Sequence, residues 1–355
     1  MNMSRKKRIL VTGSAGFIGH HVVMALQHNH FEVVGLDVIN HYYDPALKYD
    51  RLKEQGFEKS RISYNNCIQS SDIASRQFIQ LDLTDAHSLD KLFQEQQFEI
   101  VVHLAAQAGV LYSLENPIAY VESNLVGFAN ILEACRKYPV KHLLFASSSS
   151  VYGQNVEIPF STSHNTDHPI SFYAATKKAN EVMAYSYAHL YGIPTTGMRF
   201  FTVYGPWGRP DMACLHFAKC IAEERTIHLY NQGNMWRDFT YVDDVVTAVT
   251  KLLLRAPKIA KKRAPEAPFR LYNIGNNQPV LLLEMVALLE SGLHKKASID
   301  LLPMQSGDVP VTYADVDDLV TAIGYRPRTC LEEGIGKFLS WFKAYYKNQA
   351  MEKAA

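Results

Sequence analysis

Tyr173 and Lys177 form a Y-x-x-x-K motif in the segment ISFYAATKKANEVMAYSY. Four residues apart on a helix, the two side chains share one face, so the ammonium group can stabilise a tyrosinate and lower the pKa of the phenol toward neutrality. A tyrosine in that state is a general base. The same spacing also occurs in helices that only pack, and these two residues alone leave both interpretations open.

A run of serines favours the chemical interpretation. The segment FASSSSVYG places residues 147–150 at the end of a predicted strand. Ligands of parallel sheets bind at this carboxyl edge, where serine hydroxyls can share a substrate proton with Tyr173. The alternative is a serine-rich turn that caps a helix.

Gly13, Gly16 and Gly19 form G-x-x-G-x-x-G between the first predicted strand and the first predicted helix, with Phe17 and Ile18 inside the motif. The missing side chains allow a tight turn and close approach of a pyrophosphate, and the helix N-terminus supplies free N–H groups. A tight turn that binds nothing is the alternative.

Two carboxylates follow at strand ends. Asp37 ends FEVVGLD, 18 residues beyond Gly19, where it can accept both ribose hydroxyls of an adenosine and repel a 2′-phosphate, so NAD is favoured over NADP. Asp82, in QLDL, is placed either at the adenine or at the N-cap of the next helix.

The elements that position these residues alternate along the first 200 residues. The predicted strands are RILVT, FEVVGLD, RQFIQLD, FEIVVHLA, VKHLLFASS and IPTTGMRFF, and the predicted helices lie near residues 17–29, 86–97, 116–137 and 171–191. Strands that are apolar on both faces need crossover helices on both sides. The sequence therefore predicts an α/β fold with a doubly wound parallel sheet of the Rossmann type.

The remaining chain predicts a smaller α/β lobe for the substrate. We expect the NAD-binding domain at residues 1–200, with a returning segment near 236–255, and the lobe at 201–235 and 256–348. Strands near 270–274 and 298–301 and helices near 214–224, 281–290 and 331–346 are assigned to this lobe. Residues 41–76 are predicted as an excursion over the nucleotide-binding edge with a helix near 46–55, and 255–268 as a solvated loop.

Composition excludes several classes of protein. The 355 residues are 47% hydrophobic and 20% charged, which is typical of a globular protein, and 36 basic against 35 acidic residues leave no field for nucleic acid or a membrane surface. The five cysteines form no C-x-x-C pair, so a reduced, cytoplasmic protein is expected. No apolar run reaches the length of a membrane span, and the 14 histidines form no metal-binding motif.

Longer blocks carry a family resemblance. HLAAQAGV, YSLENP, SNLVGF, FASSSSVYG, DHPISFYAATKKANE, RFFTVYGPWGRPDMA, RDFTYVDD and SGDVPVTYADV occur between Ile9 and about residue 340. The chain resembles the extended short-chain dehydrogenase/reductases, and within their nucleotide-sugar epimerase and dehydratase branch it is most similar to the UDP-glucuronate 4-epimerases.

The resemblance implies a set of site residues. The catalytic residues would be Ser148, Tyr173 and Lys177, and Arg237 would hold the UDP diphosphate, its alternative being an ion pair with Asp238 or Asp243. The implied cofactor-binding residues are Gly13, Gly16, Phe17, Ile18, Gly19, Asp37, Asn40, Asp82, Leu83, Ala105, Tyr173 and Lys177. The implied substrate-binding residues are Gln107, Ser149, Ser150, Thr202, Arg209 and Arg237.

It also implies a reaction. Tyr173 would remove the proton of the sugar 4-hydroxyl while the C4 hydride passes to NAD, and the hydride would return to the other face of a 4-keto sugar. Related 4,6-dehydratases carry an Asp-Glu pair before VYG, and decarboxylating relatives tend to carry a glutamate there. Ser149 and Ser150 hold these places, which favours epimerisation.

Leu111 departs from the family pattern, because AGVRYS is usual where this chain has AGVLYS. A uronate carboxylate then needs either Arg209 or neutral donors such as Ser113. The alternative role of Arg209 is an ion pair with Asp211 within its loop. Val38 also departs, since an asparagine commonly follows Asp37.

Three functions therefore stay open. The first is a UDP-glucuronate 4-epimerase, which Thr202 favours over neutral hexoses. The second is a 4-epimerase of a neutral or N-acetylated UDP-hexose, and the third is a non-catalytic NAD-binding regulatory protein.

A homodimer is expected through the predicted helices near 116–137 and 171–191. Their apolar and aromatic side chains exceed what one sheet face needs: Leu125, Phe128, Ile131, Leu132, Met183, Tyr187 and Leu190.

Overall fold

A computed structural model of the chain describes residues 7–26, 31–258, 267–305 and 307–354. The predicted loop 255–268 therefore lies largely outside the described residues. The strands are β1 (Arg8–Thr12), β2 (Glu32–Asp37), β3 (Cys67–Gln69), β4 (Arg76–Gln80), β5 (Ile100–His103), β6 (His142–Ser148), β7 (Thr195–Phe200), β8 (Thr202–Tyr204), β9 (Ile227–Leu229), β10 (Trp236–Tyr241), β11 (Phe269–Ile274), β12 (Pro279–Leu281) and β13 (Ile299–Leu301).

The helices surround these strands. They are α1 (Phe17–Leu26), α2 (Ala46–Glu54), α3 (Ala86–Gln96), α4 (Tyr112–Glu115), α5 (Pro117–Tyr120), α6 (Gly127–Lys137), α7 (Phe172–Tyr191), α8 (Ala213–Ala222), α9 (Val242–Leu253), α10 (Leu282–Leu293), α11 (Asp317–Ile323) and α12 (Leu331–Ala354).

The central sheet has the strand order β11-β7-β6-β5-β1-β2-β4-β3 in the described part of the chain. Its strand pairs are parallel except for β3, which runs antiparallel to β4. The chain first adds β2, β3 and β4 on one side of β1 and then crosses to β5 on the other side, so the strand order reverses next to β1. Ligands of such sheets bind at this reversal.

Both faces of the sheet are covered, as the apolar strands predict. Ile9 and Val11 lie in one core cluster with α1, α8 and α9, while Leu10 between them lies in another with α3 and α6. Successive side chains of a strand point to opposite faces, so a strand buried on both sides must be apolar throughout. The predicted doubly wound α/β fold is confirmed.

Helix α7 carries the Y-x-x-x-K motif and has clear boundaries. Ser171 caps its start, because the Ser171 side chain accepts a hydrogen bond from the Ala174 N–H at 3.1 Å. Gly192 ends it with a φ of +67°. A serine at the N-cap and a left-handed glycine after the last turn are the usual signals for a helix of this kind.

The predicted helix near 116–137 is interrupted. Residues 121–126 form a π-helical turn between α5 and α6. Asn124 in this turn accepts from the Gln107 N–H at 2.8 Å and donates to the Gln107 carbonyl at 3.0 Å. The π-helical turn thus places the Asn124 side chain where it fixes the segment after β5. The spacing of apolar residues in the sequence does not reveal such a turn.

Two smaller sheets form the second region, β12-β10-β8 and β13-β9. The domain boundaries drawn from the sequence stay a prediction, but one strand assignment is wrong. Residues 270–274 were assigned to the smaller lobe, whereas β11 pairs in parallel with β7 in the central sheet. A short strand after an irregular segment carries no signal for which sheet it joins, because any parallel edge offers it the same hydrogen bonds.

Candidate active site

A cavity of about 1130 Å³ lies along the carboxyl ends of the central strands. The residues predicted for cofactor, substrate and catalysis all line it: Gly13, Gly16, Phe17, Ile18, Gly19, Asp37, Asn40, Asp82, Leu83, Ala105, Gln107, Ser148, Ser149, Ser150, Tyr173, Lys177, Thr202, Arg209 and Arg237. Leu111 lines it as well and is 44% exposed at its mouth.

The glycine turn leaves no room for side chains. Gly13 has a φ of +73°, and a Cβ there would lie 2.8 Å from the Ala105 nitrogen. A Cβ on Gly19 would lie 2.0 Å from the Gly13 carbonyl oxygen. Glycine is therefore required at both places, and the first residues of α1 line the cavity, where the N–H groups of a helix start can bind a ligand.

Asp37 stands at the end of β2, beside this turn. Its carboxylate accepts hydrogen bonds from the Ala15 N–H at 3.1 Å and from the Ile39 N–H at 2.8 Å. These bonds fix the carboxylate at the wall of the cavity, where it keeps further lone pairs for the hydroxyls of a ribose.

Asn40 and Lys48 form a polar group next to Asp37. Lys48 Nζ donates to the Asn40 side-chain oxygen at 2.7 Å, and burial lowers the pKa of Lys48 while Asp37 opposes that shift. The sequence prediction missed Lys48, although a cation in the segment after the aspartate predicted to bind the ribose was the available signal. Asn40 was predicted at the ribose, and its side chain is in part engaged by this lysine.

Asp82 does not cap α3, which corrects one of its two sequence interpretations. The cap is Asp85, whose side chain accepts from the Ser88 N–H. Asp82 instead accepts from the Thr84 N–H and hydroxyl, each at 2.8 Å, in a turn that lines the cavity. Two aspartates three residues apart offer the same capping chemistry, so the sequence cannot assign the cap.

The catalytic candidates meet at the centre of the cavity. The ammonium of Lys177 lies 6.0 Å from the centre of the Tyr173 ring, and it donates to the Ala146 carbonyl at 3.0 Å. The Ser148 hydroxyl lies near enough to the Tyr173 phenol to lower its pKa. The Ser148 hydroxyl donates to the Ser150 Oγ at 3.1 Å and accepts from the Ser150 N–H at 3.1 Å.

The expected fall in the pKa of Tyr173 is wrong for this structure. Burial raises the pKa of the phenol, and this effect exceeds the lowering caused by the Ser148 hydrogen bond and by the charge of Arg209. Burial also lowers the pKa of Lys177 to about 7. Desolvation therefore favours the neutral form of both groups, which spacing on a helix does not predict.

The first serine of the run has a different role from the next three. Ser147 donates to Glu181 at 2.6 Å, and Glu181 forms two 2.8 Å hydrogen bonds with Arg199. Glu181 lies one turn beyond Lys177 on α7. Its bonds to Ser147 on β6 and Arg199 on β7 therefore join α7 to the ends of these two strands. Ser148, Ser149 and Ser150 remain at the cavity.

On the sugar side, Arg209 is paired with Asp211 at 2.5 Å and donates to the Ala108 carbonyl at 3.2 Å. The ion pair that was the alternative interpretation of Arg209 is present, and the side chain also lines the cavity. Ser113 is not a carboxylate donor, because it is buried and its hydroxyl donates to the Val110 carbonyl.

Arg237 pairs with neither Asp238 nor Asp243, its predicted alternatives. It donates to Asp308 at 2.8 Å from a largely buried position. Asp238 points the other way and accepts from the Asn276 and Ala314 N–H groups. The Arg237 guanidinium therefore faces the cavity, and Asp308 was missed because it lies 71 residues away in sequence.

The cavity fits a dinucleotide and a second polar ligand. Gln107 Nε2 is buried and has no hydrogen-bond partner within the described residues, although it lines the cavity. An unpaired buried donor costs about 1 to 3 kcal/mol, which a ligand acceptor removes. The glycine cradle and Asp37 match the chemistry of NAD, and the Gln107 donor is available to a polar ligand of the cavity.

Comparison with known proteins agrees with this geometry. The model of the NAD dependent epimerase/dehydratase family matches residues 9–275. The chain belongs to this family. It is 49% identical to protein CapI of Staphylococcus aureus over 96% of this chain and 99% of that protein, and 45% identical to UDP-glucuronate 4-epimerase 4 of Arabidopsis thaliana over 98% of this chain and 77% of that protein.

A solved structure of a family member has the same fold. The UDP-glucuronic acid 4-epimerase of Bacillus cereus, in complex with UDP-glucuronic acid and NAD, matches with a TM-score of 0.80 at 30% identity, covering 96% of this chain and all of that chain. The family uses NAD. In the part of the enzyme that the structure describes, no helix is long and apolar enough to cross a membrane.

Proposed function

We propose that this enzyme is an NAD-dependent 4-epimerase that interconverts UDP-glucuronate and UDP-galacturonate. One observation carries the proposal: Ser148, Tyr173 and Lys177 line the same cavity as the glycine turn, with serines at the two positions where dehydrating relatives have acids. The relatives named for this activity support the same substrate.

In this proposal the cofactor half of the cavity holds NAD through the α1 N-terminus, Asp37, Lys177 and Tyr173. NAD accepts the C4 hydride of the sugar and gives it back to the other face of a 4-keto sugar. The chain itself moves the proton: Tyr173 takes it from the sugar 4-hydroxyl, and the neighbouring Ser148 hydroxyl, which lines the same cavity, holds that 4-hydroxyl by a hydrogen bond.

Ser149 and Ser150 set the outcome in the proposal. Neither side chain can donate a proton to a leaving 6-oxygen or take the C5 proton near neutral pH, because a serine hydroxyl is a very weak acid and base. They donate hydrogen bonds without adding negative charge, which is compatible with a uronate carboxylate nearby. Elimination and decarboxylation are then disfavoured, and return of the hydride remains.

Arg237 is proposed to hold the UDP diphosphate. Its guanidinium presents planar donors at the cavity, and Asp308, which also lines the cavity, orients it through an ion pair. The uronate carboxylate is proposed to meet Arg209, whose charge is shared with Asp211.

A second candidate, a 4-epimerase of neutral or N-acetylated UDP-hexoses, is favoured by Leu111. This side chain is 44% exposed at the cavity mouth and brings no charge for a carboxylate. Separate incubations with UDP-glucuronate, UDP-glucose and UDP-N-acetylglucosamine, followed by NMR, distinguish the two. Turnover of UDP-glucuronate supports the proposal, and turnover of only a neutral sugar contradicts it. Bound NAD without epimerisation of any UDP-sugar would support a regulatory role.

A homodimer in the cytoplasm is also proposed. The interface prediction needs one correction, since Phe128, Ile131 and Leu132 are buried in the core of their own chain. Other apolar side chains of α7 are exposed, among them Val182 at 58% and Leu190 at 64%. These support a helical interface between two copies, and the unpaired cysteines are compatible with a reducing compartment.

A further inference from the structure

Arg51, on α2, uses all five of its N–H donors inside the protein. It is fully buried and donates to the carbonyls of Ala15 at 2.9 Å, Trp207 at 2.7 and 3.1 Å and Gly208 at 3.1 Å. The remaining donor contacts the Tyr43 hydroxyl at 2.8 Å. A guanidinium has five donors in a fixed fork, so this set leaves none free.

These acceptors join two halves of the cavity that lie far apart in sequence. Ala15 belongs to the glycine turn of the cofactor half. Trp207 and Gly208 belong to the sugar-side loop, residues 205–212, which carries Arg209. Among the described residues, the Arg51 side chain hydrogen-bonds to both segments, and the His20 ring, next to the glycine turn, packs 5.7 Å from that of Trp207.

The sugar-side loop needs such support. Trp207 has a φ of +59°, a left-handed conformation that bulky residues rarely adopt because it is strained. The Arg51 hydrogen bonds hold the carbonyl of that same residue. Two further side chains also bond to the loop: His21 contacts the Pro206 carbonyl at 2.9 Å, and Tyr42 donates to Asp211 at 3.1 Å.

Helix α2 is in turn held by a contact with the C-terminal helix α12. Tyr345 on α12 donates to Asp50, the residue before Arg51, and the Tyr345 ring packs 5.1 Å from that of Trp207. The excursion between β2 and β4 therefore connects the C-terminal helix to the sugar-side loop.

Arg51 has no carboxylate within ion-pair distance among the described residues. A buried cation without a counter-charge is costly, and here only oxygen dipoles compensate it. A residue that merely filled space would avoid this cost, which points to a function that depends on the geometry of the five donors.

We propose that Arg51 is a positioning residue that holds the sugar-side loop in register with the glycine turn, so that cofactor retention and sugar binding depend on one guanidinium. The sugar-binding part rests on the proposed function, whereas the cofactor part does not. Lysine cannot replace Arg51, because a single ammonium lacks the planar fork of five donors that bonds to the carbonyls of both segments at once.

The test compares Arg51→Met and Arg51→Lys with Lys53→Met, a control on an exposed position of the same helix. Circular dichroism and melting curves establish that each variant is folded. NAD(H) retained after dialysis is then measured in each protein. We expect both Arg51 variants to lose the nucleotide at least about tenfold faster than wild type, and the control to match wild type.

A double-mutant cycle of Arg51→Met with Arg209→Ala tests the sugar side, with kcat and KM for UDP-glucuronate as the readout. If Arg51 acts by placing Arg209, the loss of kcat/KM in the double variant is smaller than the product of the two single-variant losses, by a factor of about five or more. Lys53→Met with Arg209→Ala is additive. Wild-type enzyme that fails to turn over UDP-glucuronate refutes the proposed function, and the retention measurement still decides the role of Arg51.

Tyr345→Phe keeps the test decisive if both Arg51 variants unfold. It removes only the hydroxyl that holds Asp50, and it should accelerate NAD(H) loss in the same direction by a smaller factor. Folded Arg51 variants with wild-type retention and an additive cycle overturn the proposal, as does wild-type retention in Tyr345→Phe when the Arg51 variants cannot be measured.

Discussion

The ammonium of Lys177 lies 6.0 Å from the centre of the Tyr173 ring on the same face of α7. Burial lowers the pKa of Lys177 to about 7 and raises that of Tyr173. Burial therefore favours the neutral amine of Lys177 and the phenol form of Tyr173. The tyrosine loses its proton only where a nearby positive charge or hydrogen bond compensates the burial, and Ser148 and Arg209 both lower its pKa.

Tyr173→Phe should retain its fold and its bound NAD(H) and lose activity by about 10² to 10⁴-fold. The substitution removes only the oxygen that transfers the proton. Turnover of UDP-glucuronate and the ratio of nucleotide to protein are the measurements. Activity within a few-fold of wild type would exclude Tyr173 as the base.

Arg209→Ala should raise the KM for UDP-glucuronate by about tenfold or more and change that for UDP-glucose little, because only the uronate needs a counter-charge. Asp211→Asn is the matched variant. It removes the carboxylate that pairs with Arg209 and should lower the KM for the uronate. Leu111→Arg should leave uronate turnover intact or raise it. Equal losses on both substrates in Arg209→Ala would make Arg209 structural.

The stability of the enzyme should fall in mild acid through His142. Burial lowers the pKa of this histidine from 6.5 to about 4, and its ring contacts the Thr196 hydroxyl and the Leu253 carbonyl. Between these pH values the unfolded chain binds the extra proton, so the free energy of unfolding falls as pH drops from 6.5 to 4, by roughly 3 kcal/mol at most from this residue.

Urea unfolding of wild type and His142→Gln at pH 7.5 and pH 5 measures this effect. The variant should be less stable at pH 7.5 and lose less stability on acidification. An identical loss in the two proteins would show that His142 does not contribute.

The proposed dimer should depend on Leu190. Leu190→Arg places a charge on the exposed face of α7 and should shift the protein to a monomer at micromolar concentration, as light scattering reports. Leu254→Arg is the control, because Leu254 is similarly exposed, at 62%, but follows α9. A wild-type monomer would exclude the interface.

The sequence predicts the parts of this enzyme that local chemistry determines. Gly13 is required by its positive φ and Gly19 by its close contact with the Gly13 carbonyl, Ser171 and Gly192 mark the ends of α7, and apolar strands require a covered sheet. The parallel strand order brings the predicted side chains to one edge.

Contacts between distant segments were not predictable. Asp308 orients Arg237 across 71 residues, and the buried donors of Arg51 reach carbonyls 156 and 157 residues away. Backbone acceptors have no sequence signature, since every residue has a carbonyl. The pKa of Tyr173 likewise depends on burial, which becomes known only with the fold.

The most direct test of the mechanism follows the hydrogen at C4 of the sugar. UDP-glucuronate with deuterium at C4 is incubated with the enzyme in ordinary water, and the product is analysed by NMR and mass spectrometry. If Tyr173 moves only the hydroxyl proton and the C4 hydride returns to the same sugar, UDP-galacturonate keeps its deuterium and gains no solvent hydrogen on carbon. Loss of the label from C4, or solvent exchange at C5 in a parallel reaction in heavy water, would contradict this mechanism.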